Sequence, residues 1–374
     1  MKILIISNLY PSSGNAQDHL GKMLLHRYAQ CWSKDHEIVV INPHSYNILT
    51  ARKLRKKALM HSFKIDGITV YNIPILRLPG DKLQVRKFKN FVKNLGEFDF
   101  ILGCLPVGIE ISNFVSKSLN IPYFTYFHNT DYHRSGISKN RITRKYTRFI
   151  EQATGLMFVS PKLKKAFEKY SANKSILLTG GIDTSWISDH SKVTFGSGLN
   201  LVTSARLVRQ KNIESVLVAL NDLSVEFRLS IAGDGPHRSY LEQLINNHTN
   251  LKENVSLYGM VNFDQLKVLF DSSDFMILMS TNESFGLVYL EAMARGCIPI
   301  GTRGEGIDGI IVDEQNGYLC DPAPKSIGSL LEKISKTPNE RLIEVSENAL
   351  ETAKNYVYER LAESFIAFAR AKIM

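Results

Sequence analysis

Ser280-Thr281-Asn282-Glu283-Ser284-Phe285-Gly286-Leu287-Val288-Tyr289-Leu290-Glu291-Ala292-Met293-Ala294-Arg295-Gly296 is the stretch around which the chain is organised. An apolar run of strand length, Asp274 to Met279, precedes it. Leu287 to Arg295 holds no proline, reads as a helix, and is closed by Gly296. Glu283 is therefore expected in a strand-to-helix loop, with Glu291 about two turns into the helix. A helix that begins at such a loop presents unpaired backbone N–H groups and the positive end of its dipole, which together attract an anion. The amides of Phe285, Gly286 and Leu287 are the candidates to meet a phosphate, and Gly286 leaves room for a close backbone approach. Glu283 and Glu291 are acceptors able to grip hydroxyls on either side of it. A phosphate flanked by hydroxyl-bearing groups describes a sugar nucleotide.

Two glutamates eight residues apart would, by themselves, suit a Rossmann-like helix start with two solvated carboxylates. The complete string E-S-F-G-x-x-x-L-E-A-M-A-x-G, followed by Pro299, reverses that preference. It resembles the signature of the retaining glycosyltransferases of family 4, enzymes of the GT-B fold. The resemblance implies an α/β protein of two Rossmann-like β/α/β domains facing each other across a cleft. It also implies that Glu283 contacts the donor sugar and Glu291 holds the ribose hydroxyls.

The length of 374 residues suits two such domains. Their expected extents are 1–186 and 187–356, with a terminal helix near 357–374 packing back on the first. No apolar run reaches the roughly 18 residues of a membrane span. Residues 2–7 read as a first strand rather than a signal segment. Cys31, Cys104, Cys297 and Cys320 are widely spaced and form no CxxC pair. They read as buried thiols in a reducing, cytoplasmic compartment. Net charge is +10 but unevenly held: residues 1–190 carry 28 Lys/Arg against 13 Asp/Glu, and residues 191–374 carry 18 against 23. The halves thus stand at +15 and −5, as two domains with separate partners would.

In the first half, a strand, a turn-rich loop and Gly21 at the start of a helix resemble the family's opening. There a glycine lets the backbone approach the donor diphosphate. The usual Gly-Gly pair is absent, and a plain helix-start glycine is an equal reading of Gly21. Asp66-Gly67 between apolar runs predicts a hairpin. Two basic segments, Arg52–Leu59 and Lys82–Leu95, mix cations with Leu, Phe and Val, as an interfacial helix does. Lys53, Arg55, Lys56, Lys57, Arg86, Lys87 and Lys89 are the candidate contacts to an anionic membrane; a solvated face with its apolar residues turned inward is the alternative. Tyr126-Phe127-His128 ends a predicted strand, where open α/β sheets place ligand-facing groups. A lone histidine is more often structural, but the resemblance puts His128 over the reacting face of the sugar.

The second half opens with a strand at Leu199–Ser204 and the loop Ala205-Arg206-Leu207-Val208-Arg209-Gln210-Lys211. Arg206 and Lys211, straddling a strand-to-helix turn, can converge on one diphosphate, the first as a planar fork and the second as a point charge. The family has R-L-x-x-x-K here, so both are assigned to the diphosphate. By the same resemblance, Met260 meets the nucleotide base through its main chain. Gly233-Asp234-Gly235-Pro236 and Gly301-Thr302-Arg303-Gly304-Glu305-Gly306 are glycine-rich turns without an assigned role.

The expected reaction is transfer of a hexose or N-acetylhexosamine unit, with retention, from a nucleotide diphosphate sugar to a hydroxyl. A UDP-sugar is favoured over a GDP-sugar. The acceptor is a glycan or lipid-linked molecule of bacterial-type surface polysaccharide synthesis. The transition state puts charge on a departing diphosphate, so positive potential is the main requirement. Arg206, Lys211 and the helix start supply it, no carboxylate cluster has metal-ligand spacing, and no cofactor is called for. A nucleotide-sugar epimerase or hydrolase on the same fold is one rival. A nucleic-acid binder is another, but no nucleic-acid motif accompanies the basic half.

Overall fold

The computed structural model describes residues 1–13, 23–46, 60–78, 82–83, 86–104, 107–128, 147–171 and 174–374. Gly21, Lys53, Arg55, Lys56 and Lys57 lie outside them. The described chain divides into two units. One comprises residues 1–159, 163–179 and 358–374, the other residues 160–162 and 180–357. Residues 180–186, expected with the first domain, thus fall in the second unit.

The first unit is built on a nine-stranded sheet. Its strands are β1 (Lys2–Ile6), β2 (Glu37–Tyr46), β3 (His61–Ile65), β4 (Ile68–Leu78), β5 (Lys82–Leu83), β6 (Phe100–Cys104), β7 (Tyr123–Phe127), β8 (Gly155–Phe158) and β9 (Ser175–Leu177). They run in the order β3-β4-β2-β1-β6-β7-β8-β9, with β5 also on β4. Ile3 to Ile6 and all of β6 and β7 are buried, because helices cover both faces of a parallel sheet and leave no alternation to read. The β3–β4 hairpin turns at Asp66 and Gly67, both at positive φ (48° and 78°), the geometry of a two-residue hairpin turn. Asp66 is hydrogen-bonded to Nε2 of buried His26 (2.8 Å), whose Nδ1 meets the Tyr10 hydroxyl (2.7 Å). Hairpin, first helix and the loop after β1 are thereby tied together.

The terminal helix Tyr358–Ile373 belongs to this unit. Phe365 packs on Trp32, Phe100 and Phe124 at ring separations of 5.0–5.9 Å, and Trp32 Nε1 donates to the Ala362 carbonyl (3.1 Å). The basic segment Lys82–Leu95 is not one helix. Lys82 and Leu83 pair with β4, and the helix covers only Arg86–Asn94. Its Phe88 and Val92 are fully buried, so these two side chains are core rather than a membrane-facing stripe.

The second unit carries a six-stranded parallel sheet: β10 (Leu199–Ser204), β11 (Phe227–Ala232), β12 (Val255–Gly259), β13 (Phe275–Leu278), β14 (Ile298–Thr302) and β15 (Tyr318–Cys320). The order is β12-β11-β10-β13-β14-β15, which reverses direction between β10 and β13. A sheet of this order places ligands where the loops after those two strands diverge. Its core joins Leu201, Ile231, Ile277 and Ile300 to Leu217, Leu331 and Val345 from the flanking helices. Each such side chain, fully buried, contributes about 1.5–3 kcal/mol. None of the four cysteines forms a disulfide; Cys104 and Cys297 are buried, whereas Cys31 and Cys320 are only half-buried rather than buried as expected. Among the described residues, no helix is long and apolar enough to cross a membrane.

Candidate active site

The loops after β10 and β13 are stitched to each other at the reversal of the sheet. Thr281 N–H donates to the Gln210 carbonyl (2.8 Å), and Gln210 Nε2 donates to the Asn282 carbonyl (2.9 Å). Lys211 Nζ forms an ion pair with Glu283 Oε2, and both side chains are largely shielded, at 21% and 13% exposure. The other Glu283 oxygen accepts from Ser284 N–H (3.1 Å). Arg206, on the same loop as Lys211, is exposed and has no ion-pair partner among the described residues. That leaves its guanidinium available to an incoming anion.

The helix after the loop is shorter than expected, Leu287–Met293 rather than 287–295. Arg295 and Gly296 fall in the turn after it, with Gly296 at φ +67°. Gly286 caps its start at φ +83°, a left-handed conformation that a side chain would strain, and a Cβ there would fall 2.6 Å from the Tyr289 ring. Tyr289 is itself pinned by donating its hydroxyl to the Leu278 carbonyl. The Phe285 side chain is buried, so what it offers a ligand is its amide; Leu287, at the helix start, is half-buried. Glu291 is the fifth residue of the helix, just over one turn in rather than two. Burial pushes its carboxyl up to about 7.

Two glycine turns without an assigned role support this end of the sheet. A Cβ on Gly233 would lie 1.9 Å from the Ala205 carbonyl oxygen, and one on Gly235 2.4 Å from the Leu207 carbonyl oxygen. Leu207 N–H donates to Asp234 O (2.9 Å). The loop after β11 is therefore the platform under the Arg206–Lys211 loop. Likewise Gly306 lies where a Cβ would be 2.2 Å from the Ser284 carbonyl oxygen, and Glu305 accepts the Glu283 N–H (2.9 Å). Gln210 and Glu305 carried no signal beyond lying inside loops already singled out.

Met260 stands apart from this group, at the end of β12 on the edge of the sheet, with its side chain 76% exposed. The carbonyl of neighbouring Gly259 is taken by Gly233 N–H (2.6 Å), so a base at this position would be left with the Met260 backbone. His128 belongs to the first unit, directly after β7, half-buried with its ring 4.2 Å from that of Tyr126. Burial lowers its pKa to about 4, which keeps the imidazole neutral near pH 7. Among the described residues, no three His, Cys, Asp or Glu side chains are grouped to hold a metal ion.

These two α/β units, the second with its sheet order reversing between β10 and β13, have the GT-B fold. The structure of Anabaena HepE in complex with UDP matches at a TM-score of 0.71 and 16% identity, covering 99% of this chain and 100% of that one. Residues 188–355 match the family described as glycosyl transferases group 1, which supports reading the protein as a glycosyltransferase. Two relatives run nearly its full length. An uncharacterized glycosyltransferase of Methanocaldococcus jannaschii is 26% identical over 372 residues, 96% of this chain and 95% of its own. The putative teichuronic acid biosynthesis glycosyltransferase TuaC of Bacillus subtilis is 26% identical over 385 residues, 95% and 94% of the two chains.

Proposed function

We propose that the protein moves a hexose or N-acetylhexosamine unit from a UDP-sugar, with a GDP-sugar as the alternative, to a hydroxyl of a glycan or lipid-linked acceptor. The anomeric configuration is retained and no metal is required. The observation that carries this reading is the Lys211–Glu283 pair at the reversal of the second sheet, with Arg206 exposed on the same loop and without an ion-pair partner among the described residues. A donor diphosphate arriving there replaces the Glu283 carboxylate as the partner of Lys211. Arg206 and the Phe285–Leu287 amides add positive potential where leaving-group charge develops. Glu283, released from Lys211, turns its oxygens to the sugar hydroxyls, Glu291 takes the ribose diol, and Met260 meets the base. Gly21 is assigned to the diphosphate and His128 to the reacting face of the sugar.

In the proposed step, the bond from the anomeric carbon to the diphosphate oxygen breaks as the acceptor oxygen bonds to the same face. The acceptor proton passes to the departing phosphate oxygen. Two glycan-related names support the acceptor class: TuaC's teichuronic acid biosynthesis and the lipopolysaccharide outer core galactosyltransferase WaaB, a structural neighbour at a TM-score of 0.67 and 17% identity.

The test is a panel of UDP-, GDP- and ADP-sugars scored by thermal stabilisation. A ligand at about 100-fold its dissociation constant adds roughly 2.7 kcal/mol. A UDP-sugar should stabilise most, and sugar should leave the nucleotide only when an acceptor is present. Equal nucleotide release with and without acceptor would favour a hydrolase instead. Stabilisation by none of the panel would refute the proposal.

A further inference from the structure

The Glu283 backbone is gripped from two sides. From one, Gln210 holds the Thr281 N–H and the Asn282 carbonyl at 2.8 and 2.9 Å. From the other, Glu305 Oε2 accepts the Glu283 N–H at 2.9 Å. Between the two grips, Asn282 sits at φ +59°, a left-handed conformation that residues with a side chain seldom adopt. The loop carrying Glu305 packs backbone to backbone on its neighbour, with Gly306 against the Ser284 carbonyl where even a Cβ would collide. Glu305 is 16% exposed and also takes the ammonium of Lys162 (2.8 Å), a residue of the same unit.

We infer that Glu305 is the positioning residue for Glu283: by accepting its amide, Glu305 fixes the peptide from which the Glu283 carboxylate reaches the donor sugar. Nucleotide contacts are left to Arg206, Lys211, Glu291, the Phe285–Leu287 amides and the Met260 backbone. The inference rests on the proposed assignment of Glu283 to the sugar. What matters here is an acceptor oxygen at one place, since the Glu283 amide is neutral. Glutamine keeps that oxygen, whereas alanine removes it.

Two measurements on Glu305→Ala, Glu305→Gln and Lys162→Ala test this in the full chain. The first is amide hydrogen exchange across 281–286 without ligand. Glu305→Ala should speed exchange in this segment while leaving β10 and β14 protected, and Glu305→Gln should restore the wild-type rate. The second sets UDP affinity against turnover of whichever of UDP-glucose, UDP-galactose, UDP-N-acetylglucosamine or UDP-N-acetylgalactosamine the wild type consumes fastest. Turnover in Glu305→Ala should fall on the order of 100-fold, the scale of a roughly 1 Å misplacement. UDP affinity should stay within about twofold, because the uniform binding contacts are untouched. Glu305→Gln should recover most of the turnover, and Lys162→Ala should lose little.

Equal loss in Glu305→Gln and Glu305→Ala would overturn the inference in favour of a charge role. A Lys162→Ala variant that reproduces Glu305→Ala would overturn it in favour of the ion pair. A parallel fall of UDP affinity and turnover would show general damage to the site. Wild-type protein that turns over none of the four sugars would count against the proposed UDP-sugar reaction, while hydrogen exchange would still decide how the loop is held.

Discussion

At Glu291, burial raises the carboxyl to about 7, so protonated and ionised forms coexist near neutrality. A ribose diol donates both its hydroxyls best to the ionised form, so UDP binding should expel a proton when it starts from the protonated form. The sign follows: affinity falls as the pH drops below about 7, by at most about tenfold per unit, and levels off above it. Calorimetry in buffers of different ionisation enthalpy reads the released proton directly. Glu291→Gln should flatten the profile and weaken UDP binding by about 1.5–3 kcal/mol, the usual worth of a charged hydrogen bond. Glu283→Gln should instead depress turnover with milder loss of UDP affinity. UDP binding that falls equally in the two variants would contradict the division of roles. Lys211 and Arg209 offer a second contrast. Lys211 is shielded and paired with Glu283, whereas Arg209, two residues earlier, is exposed. Lys211→Ala should therefore cost far more activity than Arg209→Ala, and wild-type activity should persist in EDTA. Loss in EDTA with recovery on adding Mg²⁺ or Mn²⁺ would refute metal independence.

Among the elements, close backbone contacts between loops set the geometry of the second unit's site. Gly233 combines a left-handed φ of +130° with a Cβ position 1.9 Å from the Ala205 carbonyl oxygen. Gly233→Ala should lower stability by about 1–3 kcal/mol or more, as overpacking does, and displace the Arg206–Lys211 loop. Gly196, in the segment before β10, has open space around its Cβ position and serves as the control. Thermal unfolding of the two variants, with UDP binding alongside, checks this; equal midpoints would show that the turn is not the platform described. These contacts also explain what was legible in the sequence. Strand positions in the second unit follow from unbroken apolar runs such as Phe275–Leu278, and the Asp66-Gly67 turn follows from its residue types. The pairing of Lys211 with Glu283 joins residues 72 apart, and the Glu305 bond to the Glu283 amide spans 22, so no local pattern encodes either. The helix after Gly286 stops at Met293 because the turn at Ala294–Gly296 uses residues that helical periodicity alone would have included. The basic segment Lys82–Leu95 departs from a single helix for a related reason: Lys82 and Leu83 find backbone partners on β4 that local propensity does not register.

For the molecule as a whole, the charge split sets the last expectation. Residues 1–190 carry +15 and the remainder −5, and relatives of full length carry glycosyltransferase names. We propose that the basic half brings the enzyme to an anionic membrane on the cytoplasmic side, where a lipid-linked acceptor is presented. Arg86 and Lys89 are exposed on the helix Arg86–Asn94, and Lys87 lies on the same helix. Because Phe88 and Val92 of that helix are spent on the core, its attachment should be electrostatic, without their insertion into the lipid. Near an anionic surface each cation is worth roughly 1 kcal/mol, so half of Lys53, Arg55, Lys56, Lys57, Arg86, Lys87 and Lys89 suffice for reversible binding. Such binding is screened over a Debye length of about 3 Å at 1 M salt. In liposome flotation the protein should rise with vesicles containing anionic lipid, stay down with neutral ones, and be released completely by 1 M salt (roughly that screening limit). Changing the seven cations to Gln should abolish flotation while UDP binding survives. Retention through high salt would mean that apolar side chains outside this helix enter the bilayer, and equal recovery on neutral and anionic vesicles, or on neither, would leave a soluble acceptor as the better reading.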